Sequence, residues 1–180
     1  MDDPALVEAV IAGDQDAFGR LVERETGSVF RVCYRVLGRV HDAQDATQET
    51  FVIAYRALPT YRGDGSLAAW LARIATRQAL RTASRRTETA SLDVDASAET
   101  PGRAMDPVSE LVEAERAGAI RAAVAQLPEP YREVVVLRFF AELSLGEISI
   151  ATGRPLGTVK SHLHRGLARL RDRLSVEAAA

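Results

Sequence analysis

Apolar residues recur along this chain at intervals of three and four, and a two-residue alternation is nowhere sustained. That spacing predicts helices and no strands, so the expected fold class is all-α. Residues 4–12 form the first predicted helix, with Pro4 just inside its start and Gly13 near its end. Asp14 or Asp16 can cap a second, which carries Phe18, Leu21 and Val22 on one face. After Gly27 and Ser28 a third is expected with Val29, Cys33, Val36 and Leu37 at helical spacing. Asp42 to Leu58 predicts the next. Pro59 and the Gly63-Asp64-Gly65 loop then interrupt the pattern and leave Tyr61 and Arg62 on a connection expected to be exposed. Ser66 caps a helix from Leu67 to about Arg86 that buries Leu67, Trp70, Leu71 and Ile74.

From Thr87 to about Pro107 the periodicity dissolves into a polar, acidic segment carrying Gly and two prolines, the composition of a flexible linker. Helical spacing returns from Val108 to Leu127, breaks at Pro128-Glu129-Pro130 and resumes from Tyr131 to Phe140. The predicted organisation is an N-terminal helical domain over 1–86, a linker over 87–107 and a C-terminal helical domain over 108–180.

Within the last of these, Ser144 to Arg173 has the parts of a helix-turn-helix. Ser144 and Glu147 form a capping box that starts a short helix. Gly153 permits the turn, and Pro155 cannot continue a helix. In the second helix Val159, Leu163, Leu167, Leu170 and Leu174 predict one buried stripe. Thr158, Lys160, Ser161, His162, His164 and Arg165 lie near its start, where a recognition helix meets base edges and phosphates, and Arg169, Arg171 and Arg173 continue the positive charge. An ordinary helical hairpin has the same spacing, and the helix dipole alone favours a basic C-terminal end. The excess of cations over matching Glu along the second helix favours the DNA reading.

Charge adds two further surfaces. The formal net charge of -2 conceals strong segregation. Arg73, Arg77, Arg81 and Arg85 repeat every four residues, with Arg86 beside them and no carboxylate between Leu67 and Arg86. Such a stripe suits a nucleic-acid backbone, with Tyr61 and Arg62 near enough to meet a base; Trp70 is expected in the core. Asp42, Asp45 and Glu49 fall at i, i+3 and i+7 of the preceding helix, with Gln48 beside them. The helix dipole accounts for the first two. Glu49 lies beyond the first turn, and no Lys or Arg stands four residues on to neutralise the stripe, so it predicts a docking face for a basic partner.

At 180 residues and 47% apolar composition the chain can bury real cores. Cys33, the one cysteine, is expected in the core and fits a reducing cytoplasm; the start MDDPALVEA lacks a signal peptide's pattern, and no apolar run approaches a membrane span. There is no Walker-type loop and no Cys or His cluster, and His162 and His164, two apart, do not share a helix face. Neither catalysis nor a metal, cofactor or small-molecule substrate is expected. Two readings remain: a protein that grips DNA at two separated places through two helical domains, or a stand-alone helix-turn-helix regulator whose N-terminal helices dimerise or sense a signal.

The ordered segments DAQDATQETF, YRGDGSLAAWLARIATR, LPEPYREVVVLRFF and GEISIATGRPLGTVKSHLHRGLARLR resemble the bacterial sigma-70 family, in particular its extracytoplasmic-function (ECF) group, over nearly the whole chain. The resemblance implies a non-catalytic promoter-specificity subunit of RNA polymerase. It implies that Asp42, Asp45, Gln48 and Glu49 dock on the clamp helices of the polymerase largest subunit. It implies that Tyr61 to Leu67 captures an unstacked base of the minus-10 element and that the Arg73–Arg86 helix lies along that element. Lys160, Ser161, His162, His164 and Arg165 would then enter the major groove at the minus-35 element, and the linker would thread toward the polymerase active centre. An anti-sigma protein that covers these surfaces is a further implied partner. The chain departs from the family pattern at Arg77, often Asn, at Arg81, often an acid, at Leu67, often Phe, and at His162, often Arg.

Overall fold

The computed structural model describes residues 2–90 and 107–177. All the regular elements among them are helical: α1 (Asp3–Ile11), α2 (Gln15–Leu37), α3 (Val40–Ala57), a 3-10 turn (Leu58–Thr60), α4 (Leu67–Ala90), α5 (Pro107–Ala125), α6 (Tyr131–Phe139), α7 (Leu145–Thr152) and α8 (Leu156–Glu177). Of the linker expected over 87–107, residues 91–106 lie outside the described residues, while 87–90 continue α4 and Pro107 begins α5.

The two helices expected on either side of Gly27 and Ser28 are one. Asp14 caps α2 by accepting from the Ala17 amide at 3.0 Å, and the helix runs unbroken to Gly38, which leaves it at φ 73°. Ser28 directs its hydroxyl back to the Glu25 carbonyl at 2.9 Å, inside the helix rather than across a break. Each glycine inside a helix, here Gly19 and Gly27, costs about 1 kcal/mol. Leu21, Val29 and Leu37, all on the buried face of this one helix, each gain about 2 kcal/mol by burial, so continuity wins.

The start of α4 is held twice. The Ser66 hydroxyl accepts from the Ala69 amide at 3.2 Å, as expected, and Asp3 of α1 accepts from the Leu67 amide at 3.1 Å while pairing with Arg24 at 2.7 Å. In the C-terminal half Ser144 and Glu147 form the capping box and Gly153 ends α7 at φ 68°. The buried stripe of α8 differs from expectation. Val159 is buried, but Leu167 is 40% exposed, and Gly166 takes the inward position. Gly166 sits so close to α6 that a Cβ there would lie 2.8 Å from Val135 Cγ2 and 3.5 Å from Tyr131 Cβ. Gly166→Val is therefore expected to lower stability to urea by about 2 kcal/mol, because overpacking at a rigid contact outweighs the few tenths gained in helix propensity.

Helices α2, α3 and α4 pack as a bundle crossed by α1, around Leu21, Cys33, Leu37, Phe51 and Leu71. A second core joins Val134, Leu137, Leu143, Ile148 and Val159 of the C-terminal helices. The two helix groups are in direct contact. Val124, Leu127, Val135 and Val136 extend the first core, and Ala69 of α4, only 3% exposed, belongs to the second.

Candidate docking and nucleic-acid surfaces

On α3, Asp45, Gln48 and Glu49 are exposed along one side. Asp45 has the His41 imidazole beside it, with Nδ1 3.3 Å from its carboxylate. Asp42 does not belong to an unpaired stripe: Arg86 of α4 pairs with it at 3.1 Å and also donates to the Leu37 carbonyl. The neutralising cation comes from 44 residues downstream, which a search of helix neighbours cannot reach. The acidic surface that faces solvent is thus Asp45, Gln48 and Glu49.

The loop before α4 holds Arg62 exposed, but Tyr61 is half-buried rather than on an exposed connection. Its hydroxyl donates to the Gly65 carbonyl at 2.5 Å and its ring packs on Trp70 at 5.5 Å. Burial, with the charges of Asp3 and Asp64, pushes the phenol above its ordinary pKa. Trp70 lies against the core, as expected. Beside the loop is a cleft of about 330 Å³ whose walls include Tyr61, Arg62, Arg73 and, from α7, Glu147 and Ile150.

Along α4, Arg77, Arg81 and Arg85 are exposed and Arg73 is partly buried. No carboxylate of α4 lies between Leu67 and Arg86, but one from another helix meets the stripe. Glu133 of α6 meets Arg77 Nε at 2.9 Å and lies 3.5 Å from Arg73 Nε, while its other oxygen accepts from Arg154 Nη1 at 2.7 Å. Its side chain is only 5% exposed. Burial opposes ionisation of Glu133, yet the hydrogen bonds from Arg154 and Arg77 together outweigh it and hold the carboxyl below its usual range. Arg73, desolvated and close to Arg77, is pushed downward and its Nε makes no hydrogen bond. Sequence patterning singles out neither Glu133 nor Arg154; the one available signal is a lone acid ahead of the apolar run Val134–Leu137.

On α8, Lys160, Ser161, His164 and Arg165 are exposed and Thr158 and His162 are partly so. At 100° per residue Lys160, His164, Ser161 and Arg165 span the solvent side of the helix, and Thr158 and His162 lie toward its packed side. Ser161 donates to the Gly157 carbonyl at 3.0 Å. His162 stands edge-on to Tyr131 at 5.6 Å with Nδ1 buried and unbonded. Burial, then Arg154 and Arg165, lowers its pKa, so it presents a neutral ring at pH 7. Arg169 lies over the same Tyr131 ring at 5.2 Å, a packing role that the sequence does not indicate. Among the described residues no helix is long and apolar enough to cross a membrane.

Comparison with known proteins covers both helix groups. The sigma-70 region 2 model matches residues 21–89, and the sigma-70 region 4 model matches residues 117–170. The chain is 35% identical to the ECF RNA polymerase sigma factor SigW of Bacillus subtilis over 93% of its own length and 94% of that protein. It is 34% identical to the ECF RNA polymerase sigma-E factor of Escherichia coli K12, over 92% and 90% of the two chains. Among solved structures it shares a fold with CnrH in complex with the cytosolic domain of CnrY, at TM-score 0.63 and 24% identity over 97% of each chain. It likewise resembles the sigma factor RpoE of Bartonella quintana, solved with the anti-sigma factor NepR, at TM-score 0.57 and 20% identity over 88% and 97% of the two chains.

Proposed function

The chain belongs to the ECF group of the sigma-70 family, and on that premise we propose that Asp45, Gln48 and Glu49 dock on core RNA polymerase while α4 meets the minus-10 element and α8 the minus-35 element of a promoter. It is a polymerase-associated sigma factor rather than a stand-alone regulator, and its partners are core polymerase, promoter DNA and an anti-sigma protein. One observation carries the division of labour: the same chain exposes an acidic face on α3 and two separate arginine-bearing helix faces. A regulator acting alone needs only α8. Promoter opening is then a binding effect, in which a base leaving the stack is held beside the Tyr61–Ser66 loop and its backbone by arginine. Tyr61 frames that loop instead of offering its own ring to the base, and Arg77 and Arg81 supply backbone charge where an amide would read a base edge.

The test is run-off transcription with purified core polymerase on a cognate promoter. Promoter-specific transcripts are expected; DNA binding without core, and no transcript with it, would overturn the assignment. Replacing Lys160 and Arg165 by alanine is expected to weaken binding to duplex minus-35 DNA and to reduce the log-log salt slope by about 1.8, about 0.9 for each phosphate no longer neutralised. An unaltered slope would place both side chains away from phosphate.

A further inference from the structure

We propose that the cleft between α4 and the start of α6 binds a small oligophosphate anion, the phosphate chain of a nucleoside triphosphate or inorganic triphosphate, through arginines on both of its walls. The anion is a ligand that is held and released, not turned over.

The cleft has a volume of about 590 Å³. Arg77, Arg81 and Arg85 of α4 form one wall, and Arg132 of α6 with Arg154 of the α7–α8 turn form the other. Its size is that of a small-molecule site. Glu129 and Glu133 share the lining, so five guanidinium groups meet two carboxylates and leave a formal excess of three positive charges. Both carboxylates are already engaged. Glu129 accepts from Arg132 Nε at 2.9 Å and from the Glu133 amide at 3.4 Å, and Glu133 accepts from Arg77 and Arg154. Two neighbouring groups register the resulting field. Glu133 stays ionised although its side chain is only 5% exposed. Arg73, one turn before Arg77, is pushed downward by desolvation and by the charges of Arg77 and Arg154, which Glu133 only partly offsets. A place that keeps a nearly buried carboxylate charged and crowds its own cations is suited to a further anion.

The layout of the arginines selects the chemistry of that anion. Arg77, Arg81 and Arg85 recur every four residues, about 6 Å apart along the helix, so the row extends about 12 Å. A single phosphate cannot reach along it; a linear chain of phosphates can. Guanidinium groups take phosphate oxygens in pairs and keep their charge at physiological pH. Among the described residues no aromatic side chain lines the cleft, so a nucleobase finds no stacking surface and recognition falls on the phosphate chain. A bound chain would occupy Arg77, Arg81 and Arg85, the groups proposed above for the minus-10 backbone, and would compete with promoter DNA. That consequence rests on the minus-10 assignment, whereas the site does not.

The test is calorimetric titration of the full chain, without polymerase and at fixed ionic strength, with inorganic triphosphate, GTP and orthophosphate. Inorganic triphosphate is expected to bind about tenfold or more tightly than orthophosphate, and GTP within about threefold of inorganic triphosphate. No binding beyond that of a chloride control, or a smaller preference over orthophosphate, would overturn the proposal. GTP binding outside that range would overturn it too, since recognition would then lie with the base. Two variants on the wall facing the α4 row give opposite signs. Arg132→Ala is expected to lower triphosphate affinity about fivefold, and Glu129→Gln, which removes a competing charge, to raise it about threefold. A damaged fold cannot produce the gain, and unchanged or lower affinity in Glu129→Gln would count against the site. Neither residue is assigned to promoter or polymerase, so these results are independent of the minus-10 reading. Failure of that reading has its own readout, an unchanged footprint over the minus-10 element when Arg77 is replaced by alanine in the polymerase complex.

Discussion

Reversing Asp45 and Glu49 to lysine is expected to lower affinity for core polymerase about a hundredfold, roughly 1.4 kcal/mol for each reversed charge. Both side chains are exposed, so the substitution removes attraction to a basic partner and adds repulsion without disturbing a packed contact. Circular dichroism and unfolding should show an intact fold, and a titration with core polymerase in which affinity is unchanged would remove the docking assignment. Asp42 behaves differently because it is tied to Arg86. Asp42→Asn should loosen the α3–α4 pairing slightly and leave polymerase affinity within a factor of about two, since a surface ion pair contributes roughly 0–1 kcal/mol.

The second large effect belongs to Glu133. Glu133→Ala is expected to destabilise the chain by about 3 kcal/mol, because it strands guanidinium groups that a nearly buried carboxylate had neutralised. The lower end of the range for buried pairs applies, as Arg77 is 54% exposed and recovers water. Urea unfolding measures the loss, and a change below about 1 kcal/mol would show that the arginines are solvated in the folded chain. The same carboxyl makes stability depend on pH. Its folded-state pKa is depressed, so its contribution is complete above the ordinary glutamate value of about 4.3 and is lost as pH falls through the lower folded value. Stability of the wild type to urea should fall on acidification in that window more than that of Glu133→Gln.

Much of this architecture is legible from spacing and caps. The Ser144–Glu147 box, the Gly153 turn and the α4 start at Ser66 are set by contacts three or four residues apart, which a sequence displays directly. Continuity of α2 is hidden because Gly27 reads locally as a break, whereas the cost of one glycine is small against a shared buried face. Hydrophobicity alone points Leu167 inward, but closeness of approach decides the face, and Gly166 goes inward through its lack of a side chain. The candidate surfaces divide in the same way. The faces of α3, α4 and α8 follow from helical period, but their partners do not. Arg86 reaches Asp42, and Glu133 reaches Arg77 across 56 residues, so apparent charge imbalance within a helix is resolved by tertiary contact.

The hydrogen bond from the Tyr61 hydroxyl to the Gly65 carbonyl, with its ring seated on Trp70, closes the short loop on itself. A loop closed in this way has already lost its conformational freedom on folding, so a nucleotide arriving there meets a preorganised rim. On the proposed assignment of this loop to the minus-10 element, the entropy of ordering it is a cost of folding and not of promoter binding, and discrimination between bases can be expressed in the dissociation rate without a slow rearrangement before binding.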